Sequence, residues 1–270
     1  MSFVKKNLKY FLVVVFSTVL VTLSIKASDS LIGGDGDANL CPPEMVFVPS
    51  SNGGFCIDRF EVSPGSDCPV SETNNQADSR KNMTSMDCKP ISVKGSQPWI
   101  YISQTQAREA CARVGKRLPT NKEWLSASLG TPDKNSLWKE DDCQVARNWK
   151  KQPGKTGSGE KCVSSFGVFD MIGNIWEWTD ETLEDGILDG EKLPRSGFVY
   201  ELNENGIASE TGSELVNNYN NDYFWIKNKG SRAVARGGFF SNEEKAGIYS
   251  AYLVSKPSYT GVGVGFRCVK

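Results

Sequence analysis

Apolar positions along this chain fall in short blocks separated by glycine, proline and polar runs, with one exception near the amino terminus, where Tyr10 to Ile25 is almost unbroken. Met45–Val48 and Phe55–Val62 carry the composition of short strands around a turn in which Gly53 and Gly54 let the backbone reverse. Residues 63–95 are polar and read as loop. Two helices follow. Ser103 with Gln106 has capping-box spacing, Ala107, Ala110, Cys111 and Val114 recur on one helical face, and Gly115 stops the turn. Thr120 with Glu123 repeats the box ahead of Trp124, Leu125 and Ala127, ending at Gly130. Beyond that the pattern has no helical period. It predicts an irregular α+β body of small twisted sheets, two short helices and much loop.

Charge changes the picture in two places. Lys5, Lys6 and Lys9 precede the long apolar run and Ala27-Ser28 follows it, so residues 1–27 read as a signal peptide, or as a signal-anchor if uncleaved. Residues 28–40 are small, acidic and glycine-rich, a flexible tether, and the folded domain is expected over 41–270. The leader holds four of the 31 basic residues and none of the 32 acidic ones, leaving a net charge of −5. That charge disfavours nucleic acid and anionic membrane surfaces, and a membrane is expected only through an uncleaved anchor. Residues 181–232 hold ten acids and five bases and read as a solvated acidic insertion, although Phe198-Val199-Tyr200 and Tyr223-Phe224-Trp225-Ile226 could pack back on the domain.

The chain has eight cysteines and no histidine. Without imidazole there is no serine or cysteine triad of the usual kind and no histidine-held zinc or iron. An exported chain with an even cysteine count is expected to form disulfides, placing it in a secreted, periplasmic or cell-surface setting. Proximity along the chain suggests Cys41 with Cys56, Cys68 with Cys88 and Cys143 with Cys162. Gly154-Lys155-Thr156 imitates the end of a phosphate-binding loop, but the glycine required five positions earlier is Trp149.

Four ordered blocks carry a family resemblance. They are Gly115-Lys116-Arg117-Leu118-Pro119-Thr120 with Glu123-Trp124; Phe166 to Trp178, reading FGVFDMIGNIWEW; Arg236-Gly237-Gly238-Phe239; and Gly265-Phe266-Arg267-Cys268. Together they resemble the formylglycine-generating enzyme, or sulfatase-modifying factor, family. The resemblance implies a C-type-lectin-like fold and a disulfide between Cys111 and Cys268. It also implies a structural calcium ion held at Asp170, Gly173, Ile175 and Glu177, whose carboxylates and turn carbonyls suit a hard cation. A second calcium position near Asn148 has no matching downstream acid. Enzymes of the family oxidise a substrate cysteine with copper(I) on two cysteines, and soft thiolates are what copper(I) prefers. The matching positions are Asn242 and Gly247 in this chain. A related branch holds iron through histidine, absent here, so neither copper nor iron is expected.

The carboxy-terminal segment suggests recognition instead. Phe239, Phe240, Ser241, Tyr249, Tyr252 and Tyr259 mix aromatic and small polar side chains, the composition of binding surfaces. Lectin-like proteins diversified by retroelements resemble this chain in that stretch. The expectation is an exported, non-catalytic binding protein for a protein or glycan ligand; the alternative is an oxidoreductase with an unrecognised site.

Overall fold

Both capping boxes form. In the computed structural model, which describes residues 40–270 apart from Asn52, Asn135 and Val216, the Ser103 hydroxyl accepts from the Gln106 amide and Gln106 returns the bond. This opens a helix over Gln104–Ala112; the Thr120 and Glu123 pair opens another over Asn121–Ser128. Each stops at a glycine in the left-handed region, Gly115 (φ 67°) and Gly130 (φ 81°). A further helix, Gln76–Thr84, stands where loop was expected. Its cap, Asn75, precedes a segment with almost no apolar face, which is why periodicity missed it. In chain order these are α1 (Gln76–Thr84), α2 (Gln104–Ala112) and α3 (Asn121–Ser128). The leader and most of the tether lie outside the described residues, and among the described residues no helix is long and apolar enough to cross a membrane.

The body is built on one seven-stranded sheet. β5 (Trp176–Leu183) pairs with β13 (Val264–Phe266) in parallel and with β11 (Arg232–Arg236) antiparallel; β12 (Ala251–Leu253), β10 (Tyr223–Ile226), β8 (Gly197–Leu202) and β9 (Ala208–Gly212) continue it on the far side of β11. Three two-stranded ribbons complete the set: β1 (Met45–Val48) with β2 (Phe55–Asp58), β3 (Ser63–Pro64) with β4 (Pro90–Ile91), and β6 (Ile187–Leu188) with β7 (Glu191–Lys192). The acidic stretch 181–232 is thus not a solvated insertion. It supplies β8, β9 and β10 to the main sheet, and the apolar residues Val199 and Phe224 anchor it in a core with Val234 and Leu253. Most of its acids project from these strands and their turns, whereas Asp222 is fully buried.

Alternation along β5 partitions the interior. Trp176 and Trp178 point to one face, where they meet Trp99, Phe266 and the Ala107-Ala110-Cys111 stripe of α2. Glu177 points to the other, toward Trp124 of α3. The tryptophan block is therefore an inner strand of the main sheet, between β13 and β11. Four disulfides, Cys41–Cys56, Cys68–Cys88, Cys111–Cys268 and Cys143–Cys162, use all eight cysteines. Cys111–Cys268 closes a loop of 157 residues and joins α2 to the last strand. For a loop of that length chain-entropy arguments give about 5 kcal/mol, and measured values usually fall somewhat below it. Replacing both cysteines by alanine is expected to lower unfolding free energy by about 3–5 kcal/mol in a urea titration, more than loss of Cys41–Cys56 with its 15-residue separation.

Candidate functional site

Two features meet at the centre of β5, one on each face. On the Glu177 face the chain buries a charge cluster. The Arg267 Nε and Nη2 atoms donate to the two Glu177 oxygens at 2.6 and 2.5 Å, and Trp124 Nε1 donates to Glu177 Oε2 at 2.7 Å. Arg267 also reaches the Asp58 and Phe169 carbonyls. Both members of the pair are buried, Arg267 at 0% and Glu177 at 1% exposure. The register explains the meeting: β13 runs beside β5 with Gly265 opposite Glu177, so Arg267, two residues on, emerges on the same face.

Two more carboxylates face this pair. Asp170 and Glu61 are fully buried, and Asp170 Oδ1 and Glu61 Oε1 have no hydrogen-bond partner. Their second oxygens are held, Asp170 Oδ2 by the Gly157 amide at 2.6 Å and Glu61 Oε2 by Asn174 Nδ2 at 2.6 Å. Burial raises the Asp170 carboxyl to about 7, and burial reinforced by the Asp170 and Glu177 charges raises Glu61 well above the carboxylate range. The backbone here is tightly wound: Asp170, Gly173 and Asn174 all have positive φ. A Cβ at Gly173 would lie 2.1 Å from the Gln144 carbonyl, so only glycine fits the turn.

These details decide how the four positions expected to hold calcium could do so. Asp170 fits, with one buried oxygen unspent. Glu61, which sequence reading missed, fits in the same way. Glu177 has both oxygens in hydrogen bonds, Oε2 to Arg267 and Trp124 and Oε1 to Arg267 alone, so it would have to share an engaged oxygen with an ion. Asn148 is fully engaged as a turn clamp: its side chain accepts from the Val145 and Ala146 amides and donates to the Lys139 and Cys143 carbonyls.

The tryptophan face opens into a pocket of about 240 Å³ lined by Trp176, Trp178, Trp225, Phe239, Tyr252 and Tyr259, with Asn242, Val262, Gly263 and Val264. Trp176 lies edge-on to Trp225 with centroids 5.5 Å apart and at the same distance from Tyr252. The expected recognition segment therefore divides. Phe239, Tyr252 and Tyr259 line the pocket. Phe240 is 6% exposed beneath Arg147, and Tyr249 packs edge-on against Tyr219 in a different cluster. Ser241 lies next to Asn242 but outside the lining. The residues missed were Trp176 and Trp178, seen in the sequence only as part of a family block, and Trp225, seen only as part of the acidic stretch.

The pocket also contains one of the two positions matched to copper cysteines. Asn242 uses its side-chain oxygen to accept from the Phe239 amide. At the other, Gly247, a Cβ would lie 1.9 Å from Asp222 Oδ1, so the space a cysteine side chain needs is filled by a carboxylate. With all eight cysteines in disulfides, no thiolate stands near either position.

Replacing Arg267 by methionine would leave Glu177, Asp170 and Glu61 without their shared cation. The expected cost is about 3–5 kcal/mol, read as a fall in the urea midpoint, because an uncompensated buried charge costs more than a removed pair. The paired change Arg267→Met with Glu177→Gln is expected to recover part of it.

Comparison with known proteins agrees with the blocks seen in the sequence. Residues 23–270 match the sulfatase-modifying factor enzyme 1-like domain. The formylglycine-generating enzyme of Mycobacterium tuberculosis is 26% identical over 184 residues, 61% of this chain and 57% of that protein. The inactive C-alpha-formylglycine-generating enzyme 2 of Bos taurus is 30% identical over 99 residues, 30% of this chain and 32% of that protein. These matches span from a third to just under three-fifths of the relatives' length. Among solved structures, the Major Tropism Determinant I1 variant aligns over 85% of this chain and 53% of its own, with TM-score 0.45 and 17% identity. CarF aligns over 83% of this chain and 92% of its own, with TM-score 0.43 and 14% identity. On the match of its whole folded region, this chain belongs to the sulfatase-modifying factor (formylglycine-generating enzyme) family.

Proposed function

We propose that this chain is an exported, non-catalytic member of its family that binds a protein or glycan ligand in the aromatic pocket beside β5. The observation that carries this reading is the chemistry of the pocket: six aromatic rings and one amide surround a position that would need a thiolate for copper, and a buried carboxylate fills the other such position. Rigid rings offer large contact area at little entropic cost, with Asn242 and the Tyr259 hydroxyl as the polar groups that orient a ligand. Four disulfides belong to an oxidising compartment, in keeping with the leader.

Two measurements test it. Purified chain supplied with copper(I), oxygen and a cysteine-containing sulfatase peptide is expected to yield no formylglycine by mass spectrometry above a protein-free control; turnover would overturn the reading. On glycan and ectodomain arrays, Trp225→Ala and Tyr252→Ala are expected to weaken the wild-type signal at least tenfold, whereas Tyr249→Ala, outside the pocket, leaves it intact. Equal loss in all three would assign the signal elsewhere.

Calcium at Asp170 is part of the same proposal. Asp170 and Glu61 would supply carboxylate oxygens and the turn at Gly173 and Ile175 carbonyl oxygens, and the bound ion would neutralise charge that Arg267 alone leaves unbalanced. A chelator is expected to lower the melting temperature of the wild type and to have little effect on Asp170→Asn with Glu61→Gln. A wild type indifferent to chelator would remove calcium from the account.

A further inference from the structure

A second buried acidic site lies against Gly247, away from Asp170 and with no role in the reading above. Asp222 ends the turn that leads into β10, is 0% exposed, and receives the Tyr249 amide on Oδ2 at 2.7 Å. Its Oδ1 has no partner. The charge of Asp133, from the loop after α3, acts on it; Asp133 in turn accepts from Asn220 Nδ2 on Oδ2 at 3.3 Å, and its own Oδ1 is buried without a partner. Next to Asp222 in the chain, Asn221 is 7% exposed and also has an unpartnered buried oxygen, Oδ1. Three buried oxygens from two segments thus remain unsatisfied, a state that native interiors avoid.

The surrounding groups do not relieve this. Arg236 is the cation whose charge favours ionised Asp222, but its terminal nitrogens are committed to Asn121 Oδ1 and to the Gly206 and Ile248 carbonyls. The Ile248 and Lys134 amides favour the Asp133 carboxylate and the Ser250 amide that of Asp222, yet each Oδ1 is left without a partner. Tyr249 and Tyr219 add no positive charge. Burial raises the Asp133 carboxyl to about 7, and burial with the Asp133 charge raises Asp222 well above the carboxylate range, because Arg236 offsets only part of this.

We propose that Asp133 and Asp222, with Asn221 as a further oxygen donor, form a second cation site selective for a hard divalent ion such as calcium or manganese. Oxygen donors of this kind favour hard ions, whereas the cysteines expected at Asn242 and Gly247 would have favoured copper(I). The site ties three segments together: the loop after α3, the end of the acidic stretch, and Gly247–Ser250. The last of these continues the loop that carries Asn242 into the aromatic pocket. Binding here would therefore order one wall of that pocket.

The test counts ions on the intact chain after chelator treatment and dialysis against calcium or manganese. Wild type is expected to hold one more equivalent, by mass spectrometry of the metal, than Asp222→Asn, and Asp133→Asn is expected to bind at least tenfold more weakly. Asp170→Asn with Glu61→Gln should retain this equivalent, which separates the site from the one at Asp170 and makes its failure distinct from that of the calcium reading above. Terbium emission sensitised by Tyr249 and Tyr219 should fall in the Asp222 variant. Asp133 is only half-buried, so its variant keeps the test valid if Asp222→Asn fails to fold. Equal stoichiometry and affinity in wild type and Asp133→Asn would overturn the proposal. So would a more stable Asp222→Asn at neutral pH with unchanged ion content, which would mark the pair as two acids sharing a proton.

Discussion

The bond between Arg267 and Glu177 is the constraint around which the rest is arranged. A guanidinium and a carboxylate with no access to water are tolerable only if every donor and lone pair finds a partner, and here Trp124, Asp58 and Phe169 complete the set. Those partners come from α3, β2 and the segment before β5, and Arg267 itself follows the last strand. The pair therefore holds in register elements distant in the chain. It also sets the sidedness of the sheet: with Glu177 committed to α3, Trp176 and Trp178 must face the other way, and the aromatic pocket is their consequence.

Charge balance accounts for the second layer of the architecture. Glu61 and Asp170 add two carboxylates to a cluster with one arginine, and each keeps an oxygen that nothing among the described residues satisfies. The same imbalance recurs at Asp133 and Asp222. In both places the fold invests burial in acids that are useful only if a proton or a cation joins them. Where the family resemblance would put soft thiolates, this chain has an amide and a glycine pressed against a carboxylate.

Much of the scaffold could be read before any coordinates. The two capping boxes, the glycine stops and the apolar stripe of α2 are short-range signals, each needing only a few residues and a known helical period. They appear where expected. α1 escaped because its buried face, Ser79, Asn82 and Met83, has helical spacing but only one apolar residue, and the helix is held by its cap and by the Cys68–Cys88 staple nearby. The acidic stretch was misjudged because net charge describes the turns and the outward faces, whereas Val199 and Phe224 decide where the strands go.

The sequence alone determined what chemistry is missing: no histidine anywhere, no cysteine at 242 or 247, and cysteines enough for four disulfides. Composition and position suffice for such statements. Tertiary structure decided what stands in those places. That Asp222 fills the space beside Gly247, that Trp225 enters the pocket, and that Glu61 brings an unpartnered oxygen to the cluster of Asp170 and Glu177 all depend on contacts between residues far apart in the chain. Such meetings have no periodicity to betray them, because they are fixed by the register of β5 against β11 and β13 and by the packing of α3, not by any local preference of the residues involved.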